Sequence, residues 1–120
     1  MALILVAEDT PEVADLIRDV LESRGHQVAM AADGVQMIER AKSLSPKLIV
    51  SDIMMPGTYG SSAYKALQDD PHTQGIPVLF LTGVNQTAAE KVVPKAPNVR
   101  LMFKPLDIGR FVLTVTELLA

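Results

Sequence analysis

Apolar residues in this chain fall into two patterns, short unbroken runs and longer stretches that repeat at helical spacing. Leu3 to Ala7 is an unbroken run cut off at strand length by Glu8-Asp9 and Thr10-Pro11, which predicts a strand buried on both faces. Thr10 suits an N-cap and Pro11 the first helical position, and Val13, Leu16, Ile17, Val20 and Leu21 then repeat at helical spacing up to a stop at Gly25. His26 to Met30 predicts a weaker second strand, and Val35, Ile38 and Ala41 mark a second helix between Asp33-Gly34 and Pro46. Leu48-Ile49-Val50 runs as a third strand into Ser51-Asp52, so Asp52 stands at a strand's carboxyl end. A turn-rich stretch from Met55 to Gly60 precedes a helix over Ser61 to Gln68. Pro77 to Leu81 and Val99 to Phe103 predict the fourth and fifth strands, ending at Thr82-Gly83 and Lys104-Pro105. Between them a helix over Gln86 to Val93 would be cut short by Pro94 and Pro97. Asp107 caps a last helix whose inner face is Ile108, Phe111, Val112, Val115, Leu118 and Leu119.

Strand and helix units alternate without internal repeats, which predicts an α/β fold: a doubly wound, five-stranded parallel sheet with helices on both faces and right-handed crossovers. A length of 120 residues implies a single domain over 1–120. Its 48% hydrophobic and 21% charged residues suit a packed core and argue against disorder. Eleven Lys and Arg are scattered among fourteen Asp and Glu for a net charge of −3, so no basic stripe exists for direct nucleic-acid binding. The absence of cysteine excludes disulfides, thiolate zinc sites and cysteine nucleophiles, and fits a cytoplasmic location. The apolar opening before Glu8 is too short, and too poor in basic residues, for a signal peptide or membrane anchor.

In an open parallel sheet ligands bind beyond the carboxyl ends of the strands. Those ends carry Glu8-Asp9, nothing ionic after Met30, then Asp52, Thr82 and Lys104, so three carboxylates, a hydroxyl and an ammonium meet on one rim. Singly, each has an ordinary explanation as a helix cap, a helix-dipole partner or a snorkelling lysine. Together, three neighbouring acids repel unless a cation binds, and hard oxygen ligands with room for water suit Mg²⁺. One divalent ion and one ammonium balance three carboxylates. His26 and His72 have no paired acid or second ligand nearby in sequence, and Met54-Met55 reads as packing rather than as a soft-metal site.

Glu8-Asp9, Asp52-Ile53-Met54-Met55-Pro56 with Gly60, Thr82-Gly83 and Lys104-Pro105 together resemble the receiver domains of two-component response regulators, across nearly the whole chain. The resemblance implies a flavodoxin-like sheet of order 2-1-3-4-5. It also implies that Asp52 takes a phosphoryl group from a phosphohistidine on a sensor histidine kinase or phosphotransfer protein. Mg²⁺ (or Mn²⁺) would be held by Asp9, Asp52, the Met54 carbonyl and Glu8, the last directly or through water. Lys104 would pair with Asp52 before transfer and with a phosphoryl oxygen after it, and the Thr82 hydroxyl would donate to a second oxygen, with Gly83 leaving space. A cis Lys104-Pro105 bond, as in the family, would aim the ammonium inward. The implied protein is a signalling module rather than an enzyme, with a downstream protein target, and is a monomer or a phosphorylation-dependent dimer.

Two departures from the family pattern bear on switching. Leu101 stands where an aromatic is usual, and Pro94-Lys95-Ala96-Pro97-Asn98 replaces the common Gly-Ala-acidic stretch. Met54 and Val84, two residues after Asp52 and Thr82, supply nothing to orient an attacking water, which predicts slow self-dephosphorylation. A degenerate receiver acting as a phosphorylation-independent docking module is the alternative reading, opposed by the intact acid, Thr and Lys set. A flavin protein would want a Gly- or hydroxyl-rich loop where Glu8-Asp9 stand, and an aspartate-type phosphatase a second acid at Met54.

Overall fold

A computed structural model describes residues 2–53, 60–83 and 96–120. In chain order these form β1 (Leu3–Ala7), α1 (Pro11–Ser23), β2 (Gln27–Ala31), α2 (Gly34–Leu44), β3 (Leu48–Asp52), α3 (Gly60–Gln68), β4 (Val78–Thr82), β5 (Val99–Phe103) and α4 (Ile108–Leu119). All strand pairs are parallel and the sheet order is β2-β1-β3-β4-β5, as expected. The expected helix over Gln86 to Val93 lies outside the described residues.

Alternation along the strands builds two cores, one on each side of the sheet. Leu5, Ile49, Val78 and Phe80 pack with Met37 and Ala41 of α2 and Ala63, Tyr64 and Leu67 of α3. The Tyr64 and Phe80 rings meet edge to face, with centroids 5.9 Å apart. On the other side Ile4, Val6, Val50, Leu79 and Leu81 pack with Ile17 and Leu21 of α1 and with Phe111 and Val115 of α4. The unbroken apolar runs thus mark strands covered on both faces.

Local signals set most element ends. The Asp33 side chain accepts the Gln36 N–H at 2.8 Å, and the Asp107 side chain accepts the Arg110 N–H at 3.1 Å, so both acids cap their helices. Gly25, with φ at +87°, ends the first αβ turn in the left-handed region that favours glycine. Thr10 does occupy the N-cap of α1, but its side chain caps nothing. Pro11 has no N–H to satisfy, and the N–H of Thr10 itself donates to Glu8 Oε2 at 3.1 Å.

Some periodic residues are not buried. In α1 the buried line is Ala14, Ile17 and Leu21, which leaves Leu16 44% exposed, one residue and about 100° around the helix from Ile17. Val35 and Ile108, in the first turns of their helices, are likewise exposed. The second strand begins at Gln27 rather than His26, because the His26 N–H closes the end of α1 on the Leu21 carbonyl at 3.2 Å; the His26 ring accepts the Ala2 N–H on Nδ1 at 3.2 Å.

Phe111 is fully buried, and Phe111→Ala is expected to cost about 3–5 kcal/mol in chemical denaturation. Leu113→Ala, on the exposed side of the same helix, is expected to stay within about 0.5 kcal/mol. Burial holds the His26 imidazole below its ordinary pKa of 6.5, and its Nδ1 must stay unprotonated to accept from Ala2. The folded value being the lower one, this contribution is complete above 6.5 and is lost as pH falls through the folded value. Stability measured from about pH 7 downward is therefore expected to fall less steeply in His26→Gln than in the parent chain.

Candidate functional site

Parallel strands end on the same side, and here their ends bring the predicted rim together. Glu8 follows β1 and its N–H continues the ladder by donating to the Ala31 carbonyl at 3.2 Å. Asp52 ends β3 and Thr82 ends β4, both buried. Lys104 follows β5, and its N–H donates to the Thr82 carbonyl at 2.8 Å. The Lys104-Pro105 peptide is cis, as the resemblance implied.

The Lys104 ammonium sits between two acids. Its Nζ lies 3.0 Å from Asp52 Oδ2, to which it donates, and 2.7 Å from Glu8 Oε1. The Glu8 contact is a close ion pair on a buried carboxylate oxygen. Glu8 Oε2 accepts the Thr10 N–H. Asp9, by contrast, is exposed. Glu8, Asp9 and Asp52 each bring a carboxylate oxygen within 4.8 Å of the others.

The charges shift one another. Burial pushes the Glu8 carboxyl above its ordinary 4.5, against the pull of the Lys104 ammonium and the Thr10 N–H, and the Asp52 charge pushes it further up. Burial also works against the charged form of Lys104, yet its contacts with Glu8 and Asp52 together hold it above the usual 10.5. Three carboxylates facing one ammonium leave a surplus of negative charge. Three carboxylates with oxygens this close together, an all-oxygen donor set, fit a hard divalent cation.

The remaining predicted residues are placed as follows. A Cβ added at Gly83 would meet nothing within 4 Å among the described residues. Leu101 is half-buried against the core on the α2 and α3 side, paired in register with Phe80. Pro105 is exposed, and Met54 and Val84 lie outside the described residues. Sequence reasoning did not single out Ser51, which is wholly buried and donates its hydroxyl to the Asp52 carbonyl at 3.0 Å. The signal was a lone hydroxyl at the inner end of an apolar run.

Phosphoryl or metal chemistry is what such a rim of acids, hydroxyl and ammonium serves, and comparison with known proteins agrees. Residues 4–116 match the family model of the response regulator receiver domain, and the chain belongs to that family. It is a receiver domain of two-component signal transduction. Protein PilH of Pseudomonas aeruginosa is 34% identical over 121 residues, covering 100% of this chain and 99% of PilH. A putative response regulator from Chloroflexus aurantiacus superposes with a TM-score of 0.91 at 25% identity, covering 98% of this chain and 97% of the other. The receiver domain of sensor histidine kinase PA1611 from P. aeruginosa has the same fold, with a TM-score of 0.87 at 24% identity over 98% of this chain and 97% of its own. Its structure carries a magnesium ion coordinated in the active site cleft. Receiver domains bind Mg²⁺ at this acidic site and interact with histidine kinases and downstream targets. No helix among the described residues is long and apolar enough to cross a membrane.

Lys104 is 21% exposed, so Lys104→Met in metal-free buffer is expected to cost roughly 1–3 kcal/mol, less than breaking a fully buried pair. Protonation of Glu8 relieves the repulsion that remains. Its folded pKa being the raised one, that relief is complete below 4.5 and is lost as pH rises through the folded value. The deficit of the variant, measured by urea denaturation, is therefore expected to be larger at about pH 7 than at about pH 5.

Proposed function

We propose that Asp52 is the phosphoacceptor of this domain, taking a phosphoryl group from a phosphohistidine on a sensor histidine kinase or phosphotransfer protein. The observation that carries this reading is the Lys104 ammonium held at 3.0 Å from Asp52 Oδ2 and 2.7 Å from Glu8 Oε1, with Asp9 beside them. A carboxylate ionised at neutral pH needs no general base. One Asp52 oxygen attacks phosphorus; the phosphorus–oxygen bond forms as the phosphorus–nitrogen bond breaks, and imidazole leaves with the bonding pair.

Transfer of this kind depends on alignment and charge neutralisation. Lys104 pairs with Asp52 before transfer and with a phosphoryl oxygen afterwards. The Thr82 hydroxyl donates to another phosphoryl oxygen, with Gly83, which has no side chain, next to it. Glu8, Asp9 and Asp52 would hold Mg²⁺ or Mn²⁺, joined in the family pattern by the Met54 carbonyl. When bound, the ion neutralises charge on the phosphoryl oxygens.

The domain, residues 1–120, acts in the cytoplasm as a signalling module. Its aspartyl phosphate switches a surface read by a downstream protein, as a monomer or a phosphorylation-dependent dimer. Leu101, smaller than the usual aromatic, makes the part of that surface it governs a modest one, and Met54 and Val84 make loss of the phosphoryl group slow.

Incubation with Mg²⁺ and a small acyl phosphodonor is expected to add one phosphoryl group, about 80 Da by intact mass. Asp52→Asn and metal chelation are each expected to abolish the gain. No gain in the parent chain, under conditions that label another receiver, would instead support the docking-module reading.

A further inference from the structure

Ser51 is the residue before Asp52 and has no exposed surface. Its register neighbours on the adjoining strands are Ala7 and Phe80, both members of the apolar core on the α2 and α3 side. Strand alternation puts Ser51 on the face opposite Asp52, away from the acids. Packing alone would be met by alanine without desolvating a hydroxyl, and a buried hydroxyl that only recovers its desolvation adds little stability. The consequence of the hydroxyl is therefore geometric.

The geometry concerns one peptide group. The carbonyl of Asp52 accepts from Ser51 Oγ at 3.0 Å, and the N–H at the other end of that peptide, on Ile53, donates to the Leu81 carbonyl at 2.9 Å. The peptide plane that follows Asp52 is thus held at both ends, one by a side chain and one by β4. A plane fixed on both sides cannot rotate about its neighbouring bonds without breaking a hydrogen bond, so the Cα of Asp52, the point from which its side chain reaches Lys104, is held with it. Lys104 meets that carboxylate from a backbone tied to Thr82.

We infer that Ser51 is a positioning residue for phosphorylation of Asp52: its hydroxyl pins the peptide after the acceptor and so aims the attacking oxygen. The inference rests on the reading of Asp52 as phosphoacceptor, and it adds a residue of the opposite sheet face to the machinery. Alignment is where such an effect is felt, because displacement of an attacking atom by an ångström or less lowers rate far more than affinity.

The test compares the parent chain, Ser51→Ala and Ser51→Thr, with Asp52→Asn as control. Initial rates of Mg²⁺-dependent labelling are followed by intact mass over a range of concentrations of a small acyl phosphodonor. Ser51→Ala is expected to lower the limiting rate roughly three- to tenfold, the bias one hydrogen bond gives to one geometry, with the half-saturating donor concentration and Mg²⁺ affinity unchanged. Ser51→Thr, which keeps the hydroxyl, is expected to recover most of the rate. The carbonyl ¹³C resonance of Asp52 reads the bond without any chemistry and is expected to move in the Ala variant, at unchanged far-UV circular dichroism. A parent rate in Ser51→Ala, or an unmoved Asp52 carbonyl resonance, would overturn the inference while leaving Asp52 as acceptor. Absence of labelling in the parent chain would overturn both.

Discussion

One ammonium group makes this site possible. Glu8 and Asp52 are buried beside each other at the ends of adjacent strands, and two carboxylates so placed repel strongly where water is scarce. Lys104, reaching in from the far edge of the sheet, lies within 3.0 Å of both. The arrangement is a compromise, because desolvation works against every member of it. Its persistence keeps negative charge concentrated at a point where a cation and a phosphoryl group can both be received.

The fold supplies that point through strand order. β1 and β3 are neighbours, and the chain turns in opposite directions from β1 towards β2 and β3, which opens a crevice beyond their carboxyl ends. Helices cover both faces of the sheet, so the rim is where polar groups at the strand ends can meet solvent. Backbone bonds then set each side chain: Glu8 to Ala31, Ile53 to Leu81, and Lys104 to Thr82. The acids divide accordingly, Glu8 locked by Thr10 and Lys104, and Asp9 turned out to water.

This connectivity also joins Asp52 to the rest of the domain. Lys104 is bound through its side chain to Asp52 and through its N–H to Thr82, so the ends of β3, β4 and β5 form one linked unit. Lys104 thus stands between Asp52 and Thr82, touching one with its ammonium and the other with its backbone. Phe103 pairs in register with Thr82 and is partly exposed, which puts the far end of that unit at the surface.

The sequence by itself determined the order and type of the described elements and the content of the rim. Unbroken apolar runs can be satisfied only between two layers of helix, and acids, hydroxyl and lysine placed at run ends must share a rim once the strands are parallel. The cap on Asp107 was legible because it depends on residues three apart. Tertiary structure decided what depends on distance and direction. Leu16 repeats in step with buried neighbours but falls beyond the width of the stripe that β1, β2 and α4 cover. Thr10 holds the cap position while its N–H serves Glu8 instead. That Lys104 contacts Glu8 as closely as Asp52, and that the Ser51 hydroxyl holds the peptide after Asp52, follow from strand register and twist. No local pattern encodes these, because the partners meet only after the sheet has formed.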